Sequence, residues 1–267
     1  MILGFFKRVA LAIALLYPVV ATADEANPYG LLDPATISIG TMADSKPNTF
    51  VQPDGTYTGF DIDLFMNLAE RIGYPKNKVT ITSQDFSALM PSVVNQRFDV
   101  AIAAIGTTEA RKKNVDFSDG YLLFYLSVLS PDTSIKDAGD LKGKRVGVVQ
   151  GALTDIYATK NFTDADIVRF PDNNTAIAAL NNGTIAAHFL DHDPAIDYSK
   201  RYSDLKIRVD IPQLDTPAGF VVRKGNVRLQ EAINKALHEA IDDGTYKAIF
   251  AKWFPDAPLP DRFQPKK

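Results

Sequence analysis

The chain has 267 residues, of which 46% are hydrophobic, and a formal net charge of −3 at pH 7. It contains no cysteine, which excludes disulfides, thiolate metal sites and a lipid anchor on an N-terminal cysteine. Basic runs are absent from this acidic chain, so we expect no nucleic-acid partner. A chain of this size and composition can be stabilised by its hydrophobic core alone.

The first 23 residues are expected to be a signal peptide and not part of the fold. Lys7 and Arg8 precede an apolar run at 9–20, and the Ala-Thr-Ala sequence at 21–23 places small residues where a signal peptidase recognises its substrate. The run is too short to span a bilayer comfortably, and no second one follows. We therefore expect a mature protein that begins at Asp24 and is exported to the periplasm; an uncleaved anchor is the alternative.

Strand and helix patterns alternate through the first third of the chain. They predict a strand at 36–40, a hairpin around 53–55, a helix from Asp61 to Gly73, a strand at 79–82 and a helix at 87–95. Asp61 is expected to cap its helix through its side chain, since carboxylates suit a helix N-terminus. The alternation predicts a doubly wound α/β unit.

A buried strand leads into a polar turn at 97–121. Residues 100–105 are small and apolar, as in a strand that is buried on both faces, and the sequence from Gly106 to Glu109 suits a capped helix start. Arg111 follows at that start. Because ligands of open parallel sheets bind at the carboxyl ends of the strands, Arg111 is a candidate carboxylate anchor; a solvated helix arginine is the alternative.

The second half repeats the same order of elements after an apolar crossing strand at 122–129. A strand at 146–149, a glycine turn at 150–152 and a helix at 153–160 lead to a further helix and a strand at 185–190. A second crossing is expected at 215–219. The repetition suggests two similar lobes.

Two histidines and two aspartates lie close together near the end of the strand at 185–190. His188 and Asp191 are three residues apart and should face opposite sides of the strand, which argues against a shared metal ion. We expect no metal and no cofactor. Asp191 is the first polar residue after a buried strand, which is a ligand-binding position in an open sheet.

Several motifs together resemble the extracellular solute-binding proteins of polar amino-acid ABC importers, from about Ile37 to Phe254. Their order along the chain is more specific than any single motif. In chain order they are Gly59-Phe60-Asp61-Ile62-Asp63-Leu64, Phe86-x-x-Leu89-x-Pro91, Arg97-Phe98-Asp99, Thr108-Glu109-x-Arg111, Phe117-Ser118, Asp140-Leu141-Lys142-Gly143-Lys144, Val149-Gln150-Gly151, Asp191, and Asp243-Gly244-Thr245-Tyr246 followed by Lys252-Trp253-Phe254.

The resemblance implies the two-lobed periplasmic-binding-protein fold of type II, an α/β fold with two doubly wound lobes joined by two hinge strands. Lobe 1 would comprise residues 24–122 and 218–267, and lobe 2 residues 127–213, with hinges near 122–127 and 213–218. It also implies a monomer that captures an amino acid by hinge closure and delivers it to the membrane permease of an ABC importer.

The resemblance also implies a set of ligand-binding residues. Arg111 matches the arginine that binds the α-carboxylate, Asp191 the carboxylate that binds the α-amino group, and Phe86 the aromatic residue that packs on the ligand side chain. Backbone and side-chain donors of the turns would complete these contacts. The remaining candidates are Met42, Asp44, Ser45, Ala104, Gly106, Thr107, Gln150, Ala152, Leu153 and Thr154.

The departures from the family pattern concern ligand choice. Many members carry hydroxyl residues where this chain has Ala103, Ala104 and Gly106, and often an acidic residue at the position of Met42. The missing hydroxyl at Gly106 leaves space beside the amino group of the ligand. This space could admit an N-substituted amino acid, of the opine or sugar-conjugated kind, as well as a plain polar amino acid. Lysine or arginine is less favoured without an acid at Met42, although Asp44 is close enough in sequence to take that role.

Two other function classes are considered. A periplasmic dehydratase resembling cyclohexadienyl dehydratase has the same fold, but it needs a carboxylic acid in the cleft, and just past Asp191 the chain offers His192, Asp193 and Pro194 without a glutamate. A sensor domain that feeds a kinase would need a signalling domain in the same chain. A binding protein, and not an enzyme, is therefore expected.

Overall fold

The computed structural model describes residues 26–265, and the predicted signal peptide at 1–23 lies outside these residues. Two five-stranded sheets form the two halves of the molecule. The first sheet has three parallel strands, and its fourth strand is antiparallel to both of its neighbours. In spatial order its strands are Val79–Ser83, Ile37–Thr41, Val100–Ile102, Val221–Arg223 and Val115–Phe117.

The second sheet repeats this mixed arrangement. Three parallel strands are followed by two long antiparallel ones. In spatial order the strands are Asp166–Phe170, Arg145–Val149, Ala187–Asp191, Leu122–Ser130 and Lys206–Ala218. A small antiparallel sheet of Asp44–Ser45, Thr49–Val51 and Tyr57–Thr58 confirms the hairpin predicted around 53–55.

Helices cover the faces of the sheets, and each helix packs on its sheet through the apolar side of its surface. In the helix at Val227–Asp242, Leu229, Ile233 and Leu237 recur every fourth residue and are buried. None of the helices in residues 26–265 is long and apolar enough to cross a membrane. The α-helices are Phe60–Arg71, Phe86–Val94, Glu109–Lys112, Leu153–Asn161, Asn173–Asn181, His192–Arg201, Val227–Asp242 and Thr245–Trp253, and short 3-10 helices occupy Lys76–Lys78, Ala138–Leu141 and Asp261–Phe263.

The two long strands connect the sheets. Leu122–Ser130 leaves the first half of the molecule, Lys206–Ala218 returns to it, and the two pair along most of their length. At the end nearest the first sheet, Ala218 forms a bridge with Gly106. The two segments predicted as crossings are thus the paths by which the chain passes between the sheets.

The prediction that Asp61 caps its helix is wrong. The helix begins after Gly59, and its first two N–H groups, of Phe60 and Asp61, donate to the carbonyls of Pro47 and Asn48 at 2.9 and 3.1 Å. The terminus is therefore already satisfied by the neighbouring loop. The Asp61 side chain is fully buried instead, and its Oδ2 accepts the N–H of Ala104 at 2.6 Å.

Gly59 is required at this helix start, and its replacement by alanine is expected to destabilise the fold. Its φ is +133°, and a Cβ there would lie 2.1 Å from the Asn48 carbonyl oxygen. We expect Gly59→Ala to lower the free energy of unfolding by about 3 kcal/mol or more, measured by urea titration. Gly55→Ala is the matched control: its φ is +84° but nothing lies within 4 Å, so a loss of only about 1 kcal/mol is expected. Equal losses would contradict this account.

Candidate functional site

The site lies where the carboxyl ends of the parallel strands of both sheets face each other. From the first sheet, the strand at Ile37–Thr41 leads into Met42, and the strand at Val100–Ile102 leads into the turn before Arg111. From the second sheet, the strands ending at Val149 and Asp191 lead into the opposite wall. This is the edge at which open α/β sheets bind ligands, and here two such edges are brought together.

Arg111 spans the interface between the two halves. It lies in the short helix Glu109–Lys112, whose N-cap Thr108 accepts the Arg111 N–H through its side chain. Its Nη1 donates to the Gly106 carbonyl at 2.6 Å, and its Nη2 donates to the Gly151 carbonyl of the other half at 2.9 Å. The aromatic ring of Phe86 packs on the guanidinium, and the distance from the Arg111 Cζ to the centre of that ring is 5.5 Å. The alternative of a solvated arginine is wrong, since Arg111 is 7% exposed.

Arg111 keeps its positive charge despite its burial. Burial lowers the pKa of the guanidinium to about 10, and the nearby Asp191 opposes this shift. The arginine therefore stays charged at neutral pH and lacks a carboxylate within hydrogen-bonding distance among the described contacts. A buried cation held only by carbonyl oxygens is suited to receive an anion.

Asp191 provides the opposite charge from the second half. Its carboxyl group is enclosed, although the residue as a whole keeps some exposure. Burial raises its pKa to about 7, repulsion from Asp193 adds to the rise, and the attraction of Arg111 opposes it. Burial also raises the pKa of Asp61 and Asp193 to about 6. A cationic group placed beside Asp191 would relieve this repulsion.

Six of the predicted residues line one small cavity between the halves, with a volume of about 30 Å³. This space holds water but no amino acid, so a larger ligand enters only when the two halves separate. The six are Met42, Ser45, Phe86, Ala152, Thr154 and Asp191.

Three predicted residues of the first half lie beside the cavity and not in its wall. The Gly106 carbonyl is occupied by Arg111. Thr107 donates both its N–H and its hydroxyl to the Pro217 carbonyl at 3.0 Å, which places it at the long returning strand. Ala104 has a φ of +46° and donates its N–H to Asp61.

The remaining three predicted residues are also outside the wall of the inner cavity. Gln150 is exposed, and its N–H donates to the Phe170 carbonyl at 2.9 Å. Leu153 is the first residue of its helix and is buried. Asp44 holds the halves together: its Oδ2 accepts the Asn174 N–H at 2.9 Å.

Five residues of the cavity wall were not among the predicted candidates: Ala103, Val149, Asn173, Leu190 and Pro194. The signal for Asn173 is present in the sequence. It follows the strand Asp166–Phe170, which is parallel to the strands that end at Val149 and Asp191. The carboxyl end of this strand therefore marks the turn at 171–173 as a ligand-binding position, where Asp172 is the first polar residue and Asn173 is the one in the cavity wall.

A larger cavity of about 1030 Å³ opens beside the long strands. His192 and Asp193 line it together with the C-terminal segment that follows Trp253, whereas Arg111 and Asp191 do not. Of the two cavities, the inner one is lined by Asp191, and Arg111 bonds across the same interface to the Gly151 carbonyl, so the inner cavity carries the functional argument. Within residues 26–265, no three His, Asp or Glu side chains form a group that could hold a metal ion.

Comparison with known proteins agrees with this architecture. The model of the bacterial extracellular solute-binding proteins, family 3, matches residues 37–256. The chain belongs to this family. The L-cystine-binding protein TcyJ of Escherichia coli K12 is 29% identical over 248 residues, which are 92% of either chain.

Solved structures extend the comparison to the fold. An ancestral arginine-binding protein bound to arginine superposes with a TM-score of 0.78 and 36% identity, over 82% of this chain and 98% of the other. The ancestral amino-acid-binding protein AncCDT-1, a precursor of cyclohexadienyl dehydratase, superposes with a TM-score of 0.74 and 32% identity, over 82% and 95%. The predicted two-lobed α/β fold is confirmed, and we call the halves lobe 1 and lobe 2.

Proposed function

We propose that this protein binds a polar amino acid, or an N-substituted amino acid, by hinge closure and delivers it to an ABC importer. The supporting observation is that buried Arg111 of lobe 1 bonds across the interface to Gly151, while Asp191 of lobe 2 lines the inner cavity and is close enough to interact with the Arg111 charge. A free α-amino acid carries the two complementary charges on groups attached to the same carbon atom. Each lobe alone recognises one charge, so full affinity requires both lobes.

The first step of the proposed mechanism is binding of the ligand carboxylate by Arg111. In the closed cleft the Arg111 Nη2 donates to the Gly151 carbonyl of lobe 2. Separation of the lobes, which the ligand requires for entry, releases this donor for the incoming carboxylate. The carboxylate is the stronger acceptor because it is charged and can bind the guanidinium through two parallel hydrogen bonds. Ligand binding to lobe 1 therefore changes the partner of Arg111, and closure of lobe 2 then brings Asp191 to the ammonium.

Contacts around Asp44 hold the closed arrangement. Besides the bond from Asn174, the Asp44 carbonyl accepts the Tyr198 hydroxyl at 3.3 Å, and Lys46 lies 3.4 Å from Asp197. These contacts cross the cleft at its rim. The residues that form them are not in the wall of the inner cavity, so they stabilise closure from outside it.

We also propose the cellular setting. The protein would be exported to the periplasm after cleavage of residues 1–23, act as a monomer and bind the membrane permease of its importer in the closed form. The proposed hinges are near residues 122–127 and 213–218, where the long paired strands pass between the sheets.

The experiment is a thermal-shift screen of the mature protein, residues 24–267, against the common amino acids, opines and sugar-conjugated amino acids. A selective ligand should raise the melting temperature by several degrees, because it binds only the folded state. If an N-substituted compound is selected, Gly106→Ser should weaken it about 10-fold or more while sparing the unsubstituted amino acid. If none of these compounds stabilises the protein, the proposed function is wrong.

A dehydratase remains the second candidate, and Asp193 is the observation that favours it. Its buried carboxyl group, with a pKa raised to about 6, has the property required of a general acid near neutral pH. However, Asp193 lines the larger cavity and not the one that contains Asp191. Formation of an aromatic product from prephenate or arogenate by the purified protein would support the dehydratase.

A further inference from the structure

Asn173 in the wall of the inner cavity pairs with a buried histidine, His188, and this pairing bears on ligand choice. His188 lies on the strand Ala187–Asp191, is fully buried, and is opposite Gly147 on the neighbouring parallel strand. Its Nδ1 is 3.0 Å from the Gly147 carbonyl oxygen. On its other side, Nε2 is 3.2 Å from the end of the Asn173 amide that is placed as Oδ1.

The chemistry of these neighbours fixes the proton on His188. A backbone carbonyl only accepts hydrogen bonds, so Nδ1 must carry a proton and donate it. The ring is uncharged at neutral pH, because burial lowers its pKa to about 4, even against the opposing effect of the bond to Gly147. A neutral imidazole has a single N–H, and Nε2 is therefore a bare acceptor.

The state of Nε2 decides the orientation of Asn173. The two ends of an amide have nearly the same shape, so the hydrogen-bond partner identifies them. An acceptor at Nε2 requires the amino group of Asn173 on that side, and two opposed acceptors 3.2 Å apart would be unfavourable. The carbonyl oxygen is then at the other end of the side chain, and Asn173 forms part of the cavity wall.

We infer that Asn173, held by His188, is a specificity-determining residue that presents a hydrogen-bond acceptor to the ligand side chain. The inference rests on the proposed function and names its substrate class: amino acids whose side chain donates a hydrogen bond, such as an amide, guanidinium, ammonium or hydroxyl group. Side-chain carboxylates are disfavoured, since they would place an acceptor against an acceptor.

The apolar part of the wall strengthens this selectivity. Met42, Val149 and Leu190 line the same cavity and offer no hydrogen bond to a polar side chain. The hydroxyls of Ser45 and Thr154 in the same wall can donate or accept and do not distinguish the two kinds of side chain. The contact with Asn173 therefore decides whether a buried donor or a buried acceptor is favoured. His188 acts only through Asn173 and is a positioning residue.

The first test is nuclear magnetic resonance of the purified protein with nitrogen-15-labelled histidine and asparagine. The inference predicts that His188 carries its proton on Nδ1 alone from pH 5 to pH 8, and that the Asn173 amino protons couple to Nε2. Asn173→Asp should add a proton to Nε2, because a carboxylate cannot donate to it. A proton on Nε2 in the unaltered protein overturns the inference.

The second test compares two probes of nearly identical shape, L-glutamine and L-glutamate, by calorimetric titration. Glutamine is expected to bind at least ~10-fold more tightly, which corresponds to about 1.4 kcal/mol. Asn173→Leu should remove this preference, whereas Asn181→Leu, at an exposed asparagine of the same helix outside the cavity wall, should keep it. Equal binding of the two probes, or a preference for glutamate, overturns the inference.

The two proposals fail in different ways. If no amino acid binds at all, the proposed function is wrong, and the magnetic resonance result still reports whether His188 orients Asn173. If amino acids bind but glutamine has no advantage over glutamate, only the inference about Asn173 is wrong. Failure of Asn173→Leu to fold leaves Asn173→Asp and its effect on His188 as the deciding measurement.

Discussion

Replacing Arg111 with alanine is expected to weaken binding of every amino acid that the unaltered protein binds by roughly 30-fold or more. The carboxylate would enter a buried site without the guanidinium as its partner, which costs about 2–5 kcal/mol, or roughly 30-fold or more in affinity. The measurement is calorimetric titration with the amino acid that the thermal-shift screen selects. Because Arg111 also bonds to Gly106 and Gly151, the variant must first be shown to fold, from its circular dichroism and melting temperature.

The neighbouring Lys112 supplies the matched control for Arg111. It lies on the same short helix, but its side chain is exposed and pairs only with Glu109 at 2.8 Å among the described contacts. Lys112→Ala should change affinity by less than about twofold, since exposed ion pairs contribute little. Unchanged affinity in Arg111→Ala would show that this residue does not anchor the ligand.

The second large effect is expected for Asp191→Asn. The substitution keeps the shape of the side chain and removes the charge that faces the ammonium of the ligand, so affinity should fall by about 2–5 kcal/mol. Asp193→Asn is the control. Asp193 carries a similar buried carboxyl group but lines the larger cavity, so its replacement should leave affinity within a few-fold. A ligand that is indifferent to Asp191→Asn lacks the ammonium assumed here.

The same variant tests the origin of the pH dependence. The pKa of the Asp191 carboxyl rises from 3.8 to about 7 in the closed protein, so the folded state binds more protons than the unfolded state between these values. Stability of the ligand-free protein should therefore fall as pH rises from 5 to 7.5. Asp191→Asn should flatten this decline, as measured by melting temperature. An unchanged slope would assign the effect to Asp61 and Asp193.

Much of the fold is predictable because its signals are local. The capped turn and the position of Arg111 at a helix start depend on neighbours in sequence, and the helix at Glu109–Lys112 confirms them. The strand predicted at 100–105 is confirmed only at Val100–Ile102, because the backbone turns at Ala104, whose φ is +46°. The stripe of Leu229, Ile233 and Leu237 is local in the same sense. Such patterns indicate which face of a helix or strand is buried and at which residue the helix or strand ends.

The parts that were not predictable depend on contacts between distant segments. Asp61 has the sequence position of a helix cap, yet the carbonyls of the loop at Pro47 and Asn48 satisfy that terminus and release its carboxylate to bond Ala104. Thr107 has the position of a ligand donor, but its donors are taken by Pro217, 110 residues away. Hydrogen bonds between such distant segments produce no periodic pattern in the sequence, so neither outcome could be predicted from it.

The pairing of charges across the cleft can be tested most directly with a cycle that changes the protein and the ligand together. Affinities of the unaltered protein and of Arg111→Ala are measured for the selected amino acid and for its carboxamide, which lacks the carboxylate. The unaltered protein should prefer the amino acid by roughly 30-fold or more, and Arg111→Ala should bind both equally weakly. If the preference for the amino acid survives in Arg111→Ala, the carboxylate binds elsewhere and the central claim is wrong.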